Sequence, residues 1–161
     1  MSIKVDPDQF APLFRPFLEG IMSGDFPNKA PGLAKLGIKP ERWLKHVEPG
    51  HVRFVWPNEG GHDIQPGRAF GGWVGALSDH VVSICMFSAL KEGEAFTTQD
   101  LQIKFFRPVA PGDITIEARV INRSRSTGYV EAEWKDADGK LLVKVLAWKA
   151  IRTIEAIHGQ R

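Results

Sequence analysis

The chain has 161 residues, 43% hydrophobic, 25% charged and 10% aromatic. That is the makeup of one folded domain and excludes a disordered or collagen-like chain. Twenty-one basic against nineteen acidic residues leave a net charge of +2, too mild to point to nucleic acid. A single cysteine excludes a disulfide framework or a Cys-rich metal site and fits a reducing cytoplasm.

Residues 1–41 form an N-terminal extension. Phe10, Leu13, Phe14, Phe17, Leu18, Ile21 and Met22 recur at helical spacing, interrupted by Pro12 and Pro16, which predicts a short, broken amphipathic helix. The start, Met-Ser-Ile-Lys-Val-Asp-Pro-Asp, carries no apolar run of the secretory kind. The Pro-, Gly- and Lys-rich residues 25–39 predict a loop. The extension either packs over apolar surface or forms a lid over a substrate tunnel.

Residues 42–154 form the main domain. Two strands, 43–47 and 51–56, are expected on either side of Pro49-Gly50, then a polar loop over 57–68. Ala69-Phe70-Gly71-Gly72 opens a helix running to about Leu90 that is apolar on nearly every side, as a helix wrapped by the rest of the protein is. Asp79 and His80 at its centre argue against a membrane span. Four strands follow between Phe96 and Ile154, with turns at 108–113, 124–128 and 136–139, which predicts an antiparallel meander. Residues 155–161 are a tail. One such sheet curls around one helix and leaves an edge that a second copy of the chain would cover.

Asp79 is the foremost candidate for chemistry. A carboxylate among apolar residues is costly unless partnered or functional, and burial would raise its pKa and make it a stronger base. It could equally face a solvent channel or pair with a basic group. At ~100° per residue, Gly72, Gly75, Asp79, Ser83 and Met86 share one stripe of the helix. The glycine half of the stripe reads as a groove, and Gly71 and Gly72 offer free backbone N–H groups for an oxyanion, or simply allow close packing. Gly71 lies eight residues before Asp79, or ~12 Å along a helix. If both act on one carbonyl, one of them comes from another copy of the chain.

The stretch Phe70-Gly71-Gly72-Trp73-Val74-Gly75-Ala76-Leu77-Ser78-Asp79 resembles the helix start of hotdog-fold acyl-CoA thioesterases of the phenylacetate-degradation type. Residues 97–108, the turn Pro111-Gly112-Asp113 and residues 138–142 with the last strand extend the resemblance over about 42–154. It implies an α+β hotdog fold, an antiparallel sheet wrapped around a long central helix. It implies hydrolysis of acyl-CoA, with coenzyme A as part of the substrate and no other cofactor or metal, in a homodimer or dimer of dimers. Asp79 would be general base or nucleophile. The Gly71 N–H of the opposite subunit, beside Gly72, would polarise the carbonyl. Thr98 would set a hydroxyl beside the acid, with Thr97 one step away in an open register. Gln65 stands near the family's Asn, and Phe70 stands where the family has His; His62 and His80 are the candidates to compensate.

Gly75, Ser83 and Met86, with Phe87 and Leu90, are expected to line a medium-chain or aryl-acyl site. Arg107, Arg123 and Arg125 are candidates to meet coenzyme A phosphates, or are solvated charges. Cys85 reads as a small core residue, and no metal-ligand spacing, phosphate loop or dinucleotide fingerprint is visible. Competing functions on the same fold are a non-catalytic acyl-CoA binding protein, favoured by Phe70, and an enoyl-thioester hydratase.

Overall fold

The structure is a computed structural model and describes residues 5–26 and 30–158. Six strands form one antiparallel sheet in the order β1-β2-β6-β7-β8-β5. They are β1 (Leu44–Glu48), β2 (His51–Asn58), β5 (Glu94–Phe105), β6 (Gly112–Arg123), β7 (Thr127–Lys135) and β8 (Leu141–Thr153). A central helix, Gly71–Ser88, packs on the inner face against β2, β5, β6, β7 and β8. This is the expected hotdog arrangement.

The alternation in β6 and β7 translates directly into burial. Ile114, Ile116 and Ala118 on β6, and Val130, Ala132 and Trp134 on β7, all face the core, because successive side chains of a strand point to opposite faces. The central helix buries Val74, Leu77, Val81, Val82, Cys85 and Met86 completely.

Several expectations change. Only β6, β7 and β8 form a meander; β5 lies beyond β8 and pairs with it. The connecting residues 106–111 include Pro108 and Pro111, which cannot donate ladder hydrogen bonds, and the chain crosses to the far side instead of turning back as a hairpin. The loop over 57–68 contains a two-stranded ribbon, β3 (Asp63–Gln65) with β4 (Arg68–Ala69). Trp43 ends a helical turn, Pro40–Trp43, rather than starting β1.

In the extension, Pro16 does not interrupt a helix. It occupies the first turn of α1 (Arg15–Ser23), where its missing N–H has no partner to lose. Phe10, Phe14, Leu18 and Ile21 are buried while Leu13 and Met22 are exposed. Part of the expected 25–39 loop is a helical turn, Pro31–Lys35. Phe14 and Phe17 meet Phe87 of the central helix, at 5.0 and 5.6 Å between ring centroids. Among the described residues no helix is long and apolar enough to cross a membrane.

Candidate active site

Asp79 sits in mid-helix and is not buried. Its side chain is 47% exposed, so the expected desolvation of the carboxylate is absent. What it has instead is a basic partner from β8. Lys149 is fully buried, and its Nζ lies 3.2 Å from Asp79 Oδ1. The same Nζ donates to Ser83 Oγ at 2.9 Å and to Thr98 Oγ1 at 2.7 Å. An ammonium has three N–H donors, and here each finds an acceptor. A buried charge is tolerated only when paired and hydrogen-bonded in this way. The Phe96 ring adds a cation–π contact, 5.5 Å from Nζ to the centroid. Burial still pulls the Lys149 ammonium below the usual lysine range, with Asp79 opposing the shift.

Thr98 resolves the open register. It stands directly across from Lys149 in the β5–β8 ladder, and its hydroxyl donates to Asp79 Oδ1 at 3.1 Å. Thr97 pairs with Ala150 and is exposed. A bulge between Thr98 and Asp100 interrupts the ladder. Phe96 and Thr98 point at the helix before it, and Leu101 and Ile103 pack on the core after it, because the extra residue shifts the alternation by one. Asp79 Oδ1 therefore holds two donors, while Oδ2 has no partner among the described residues.

The glycine half of the helix stripe is not an open groove. β5 lies across it: a Cβ on Gly71 would touch Phe105 at 3.6 Å, and one on Gly75 would touch Ile103 at 3.5 Å. Gly75 is thus a packing position. At Gly72 the neighbour is Phe70, whose ring comes within 2.7 Å of where a Cβ would be. Phe70 is the residue before the helix, 51% exposed, and its ring folds back over the first turn. Its carbonyl accepts the N–H groups of Trp73 and Val74, both at 3.0 Å. The first-turn N–H groups of Gly71 and Gly72 cannot have such intrahelical partners. A cavity of about 510 Å³ opens beside Gly71, with Gln65, Arg68, Phe105 and Arg107 on its walls.

The remaining candidates scatter. Ser83 joins the Asp79 cluster through Lys149. Met86 is fully buried and leaves no room for a side chain at Gly128; with Leu90, also buried, it belongs to the core. Of that group Ser83 and Phe87 line a cavity. His62 stacks on Trp73 with centroids 4.0 Å apart. His80 is buried within this chain between Phe26 and Phe54, and burial pushes its pKa down to about 4. Neither imidazole hydrogen-bonds Asp79. Arg123 is ion-paired with Glu94, and Arg107 donates to the Leu141 carbonyl. Burial pushes the Cys85 thiol up to about 12, in keeping with a core residue. Among the described residues, His46, Glu48 and His51 bring potential metal-ligating atoms within 4.8 Å of one another, a trio that linear spacing did not reveal. His51 Nε2 is however 2.7 Å from Glu117 Oε1 of β6, which also accepts from Arg119, so His51 is already engaged, while His46 Nε2 has no hydrogen-bond partner among the described residues.

Lys149 is the site residue that sequence reasoning missed. Its signal was its parity: Val143, Val145, Ala147 and Ile151 of β8 are all core residues, and Lys149 falls in the same odd-numbered series.

Residues 66–143 match the family model for the thioesterase superfamily. A candidate esterase of Saccharolobus solfataricus is 44% identical over 57 residues, which span 35% of this chain and 41% of that protein. The chain is also similar to a solved candidate thioesterase of Ralstonia eutropha, related to phenylacetic acid degradation: 25% identity, TM-score 0.62, covering 74% of this chain and 89% of the other. A hypothetical thioesterase protein of Streptococcus pneumoniae, solved with coenzyme A, shares the fold at 15% identity and TM-score 0.62, covering 75% of this chain and 97% of that one.

Proposed function

We propose that this chain, whose residues 66–143 match the thioesterase superfamily, hydrolyses an acyl-CoA thioester to a free acid and coenzyme A. The observation that carries this reading is the Asp79 carboxylate, with Oδ1 held by Lys149 and Thr98 and Oδ2 without a partner among the described residues. Such a group is oriented by one oxygen and reactive through the other. As general base, Oδ2 takes a proton from water while the water oxygen bonds to the carbonyl carbon. The tetrahedral intermediate then expels the thiolate, and the proton passes to sulfur. As nucleophile, Oδ2 bonds to the carbonyl carbon itself, the thiolate leaves, and water cleaves the resulting anhydride.

The carbonyl oxygen needs a donor during either route. Gly71 of the same chain lies ~12 Å along the helix from Asp79, too far to serve it. The partner subunit's Gly71 supplies the N–H, which makes the site composite and the working protein a homodimer or a dimer of dimers. The unpaired edge of β5 and the exposed Phe105, Phe106 and Ile64 are the surface that association would cover. Coenzyme A enters past Arg68 and Arg107, whose guanidinium groups suit its phosphates; the coenzyme A held by the Streptococcus relative supports this ligand class. The acyl group is of medium length or aryl. A coenzyme A substrate and a free buried cysteine are in keeping with a cytoplasmic protein.

A non-catalytic acyl-CoA binding role has one specific observation in its favour, the Phe70 ring over the first helical turn. Free-thiol release from short, medium, long and aryl acyl-CoAs separates the two readings. Turnover that collapses in Asp79→Asn is expected; saturable binding with no turnover in either protein would overturn catalysis.

A further inference from the structure

A second cavity, of about 330 Å³, lies between the N-terminal extension and the central helix. Phe17, Phe26 and Leu33 of the extension form one side. Ile84 and Phe87 of the helix and Phe96 of β5 form the other. Protein interiors are close-packed, with few voids larger than a water molecule, and this one falls at the small end of ligand pockets, ~300–1,000 Å³. Its aromatic rings contact one another edge-on: Phe17 with Phe26 at 5.1 Å and with Phe87 at 5.6 Å. His80 also lines it and, with its pKa near 4, stays uncharged at neutral pH. The walls therefore suit an apolar group.

This cavity meets the Asp79 site at two residues. Ser83 lines the cavity and accepts a hydrogen bond from Lys149 Nζ. Phe96 lines it too and lies under the same ammonium. Lys149 in turn holds Asp79. An acyl group whose carbonyl carbon sits at Asp79 thus has an apolar space at hand one helical turn further along. Phe17, Phe26 and Leu33 all lie outside residues 66–143, the segment matched by the family model.

We infer that the N-terminal extension, through Phe17, Phe26 and Leu33, forms the far wall of the pocket for the acyl tail and sets the largest acyl group this protein accepts. The inference rests on the thioesterase reading above.

Two substitutions move the wall in opposite directions. Phe26→Ala enlarges the pocket and Leu33→Trp fills it. Across a series from acetyl-CoA to palmitoyl-CoA, the ratio of kcat/KM for the longer to the shorter substrates is expected to rise about tenfold or more in Phe26→Ala. It falls by a similar factor in Leu33→Trp, since one methylene in a tight pocket is worth ~10–200-fold. Thermal melts establish that each variant is folded. Ratios within about twofold of wild type in both folded variants would overturn the inference and leave the thioesterase reading standing. If wild type turns over no member, that reading fails, and the same series of free carboxylic acids is titrated by calorimetry. An affinity order displaced in opposite directions by the two variants upholds the pocket, and no binding of any acid overturns it.

Discussion

Lys149 Nζ lies 3.2 Å from Asp79 Oδ1, although seventy residues separate the two in sequence and one side chain is wholly buried while the other is half exposed. The pair is anchored from the inside. Its lysine cannot swing out to solvent, so the carboxylate is oriented by a rigid donor rather than by a mobile surface charge.

Replacing Lys149 by Met removes that donor and keeps the volume. Misorienting a reacting group by about 1 Å costs ~100-fold in rate, so kcat is expected to fall by about 10–100-fold. Stability should change little or rise, because exchanging a buried charge for an apolar side chain is often neutral or favourable. Asp79→Ala acts the other way on stability. It leaves the buried ammonium one acceptor short, at a cost of ~1–3 kcal/mol. Thiol-release kinetics and urea denaturation of both variants check the contrast; a Lys149→Met enzyme with unaltered kcat would remove the lysine from the site.

The lowered pKa of Lys149 gives an alkaline signature. The charged form exists below the folded-state pKa and is lost as pH rises through it, earlier than the ~10.4 of an ordinary lysine. The kcat/KM profile is expected to bend downward below that value in wild type. The bend should be missing from Lys149→Met, and its persistence there would assign it to another group.

His80 sets an acid limit on the fold. Its pKa is about 4 when folded against 6.5 as a model group, so between these values the unfolded chain binds more protons. Stability from this group is complete above pH 6.5 and declines as pH falls toward 4, by about 3 kcal/mol in all. Urea unfolding at pH 7 and pH 4.5 should show a smaller loss in His80→Phe than in wild type.

Met86 and Gly128 test the boundary between core and pocket. A Cβ at position 128 would run into the Met86 thioether, so Gly128→Ala should destabilise by ~1–3 kcal/mol through overpacking. Adding Met86→Ala should recover part of the loss, measured as the coupling in a double-mutant cycle. Independent effects would mean that the thioether simply moves aside.

Gly72→Ala brings a methyl group against the Phe70 ring. The ring is half exposed and can yield, and alanine favours the helix by ~1 kcal/mol over glycine, so the melting temperature should stay near or above that of wild type. Thiol release then reports whether a displaced ring changes access to the first-turn N–H groups.

The alternation of Ile114 to Val120 and of Val130 to Trp134, and the apolar run around Asp79, made the sheet and the helix legible, because burial imposes period 2 on a strand and dispersed apolarity on a wrapped helix. Asp79 stood out as the acid inside that run. The partner of β5 did not, since the pairing of β5 with β8 leaves no local mark on either strand. Lys149 was hidden for a related reason. In a continuous strand that also contains Lys144, only the inward parity distinguishes the two lysines, and inward has meaning only once the helix is known to lie on that face. The bulge that turns Thr98 toward Asp79 left no glycine or proline to announce it.

That bulge also makes β5 unusually intolerant of a change in length. Deleting Gln99 would merge two half-strands of opposite phase. Either Phe96 and Thr98 would rotate away from the ammonium, or Leu101 and Ile103 would be traded for Gln102 and Lys104 against the helix. A lineage can therefore alter the residues of this strand freely at the surface, but a single lost codon there would unmake the site or the core.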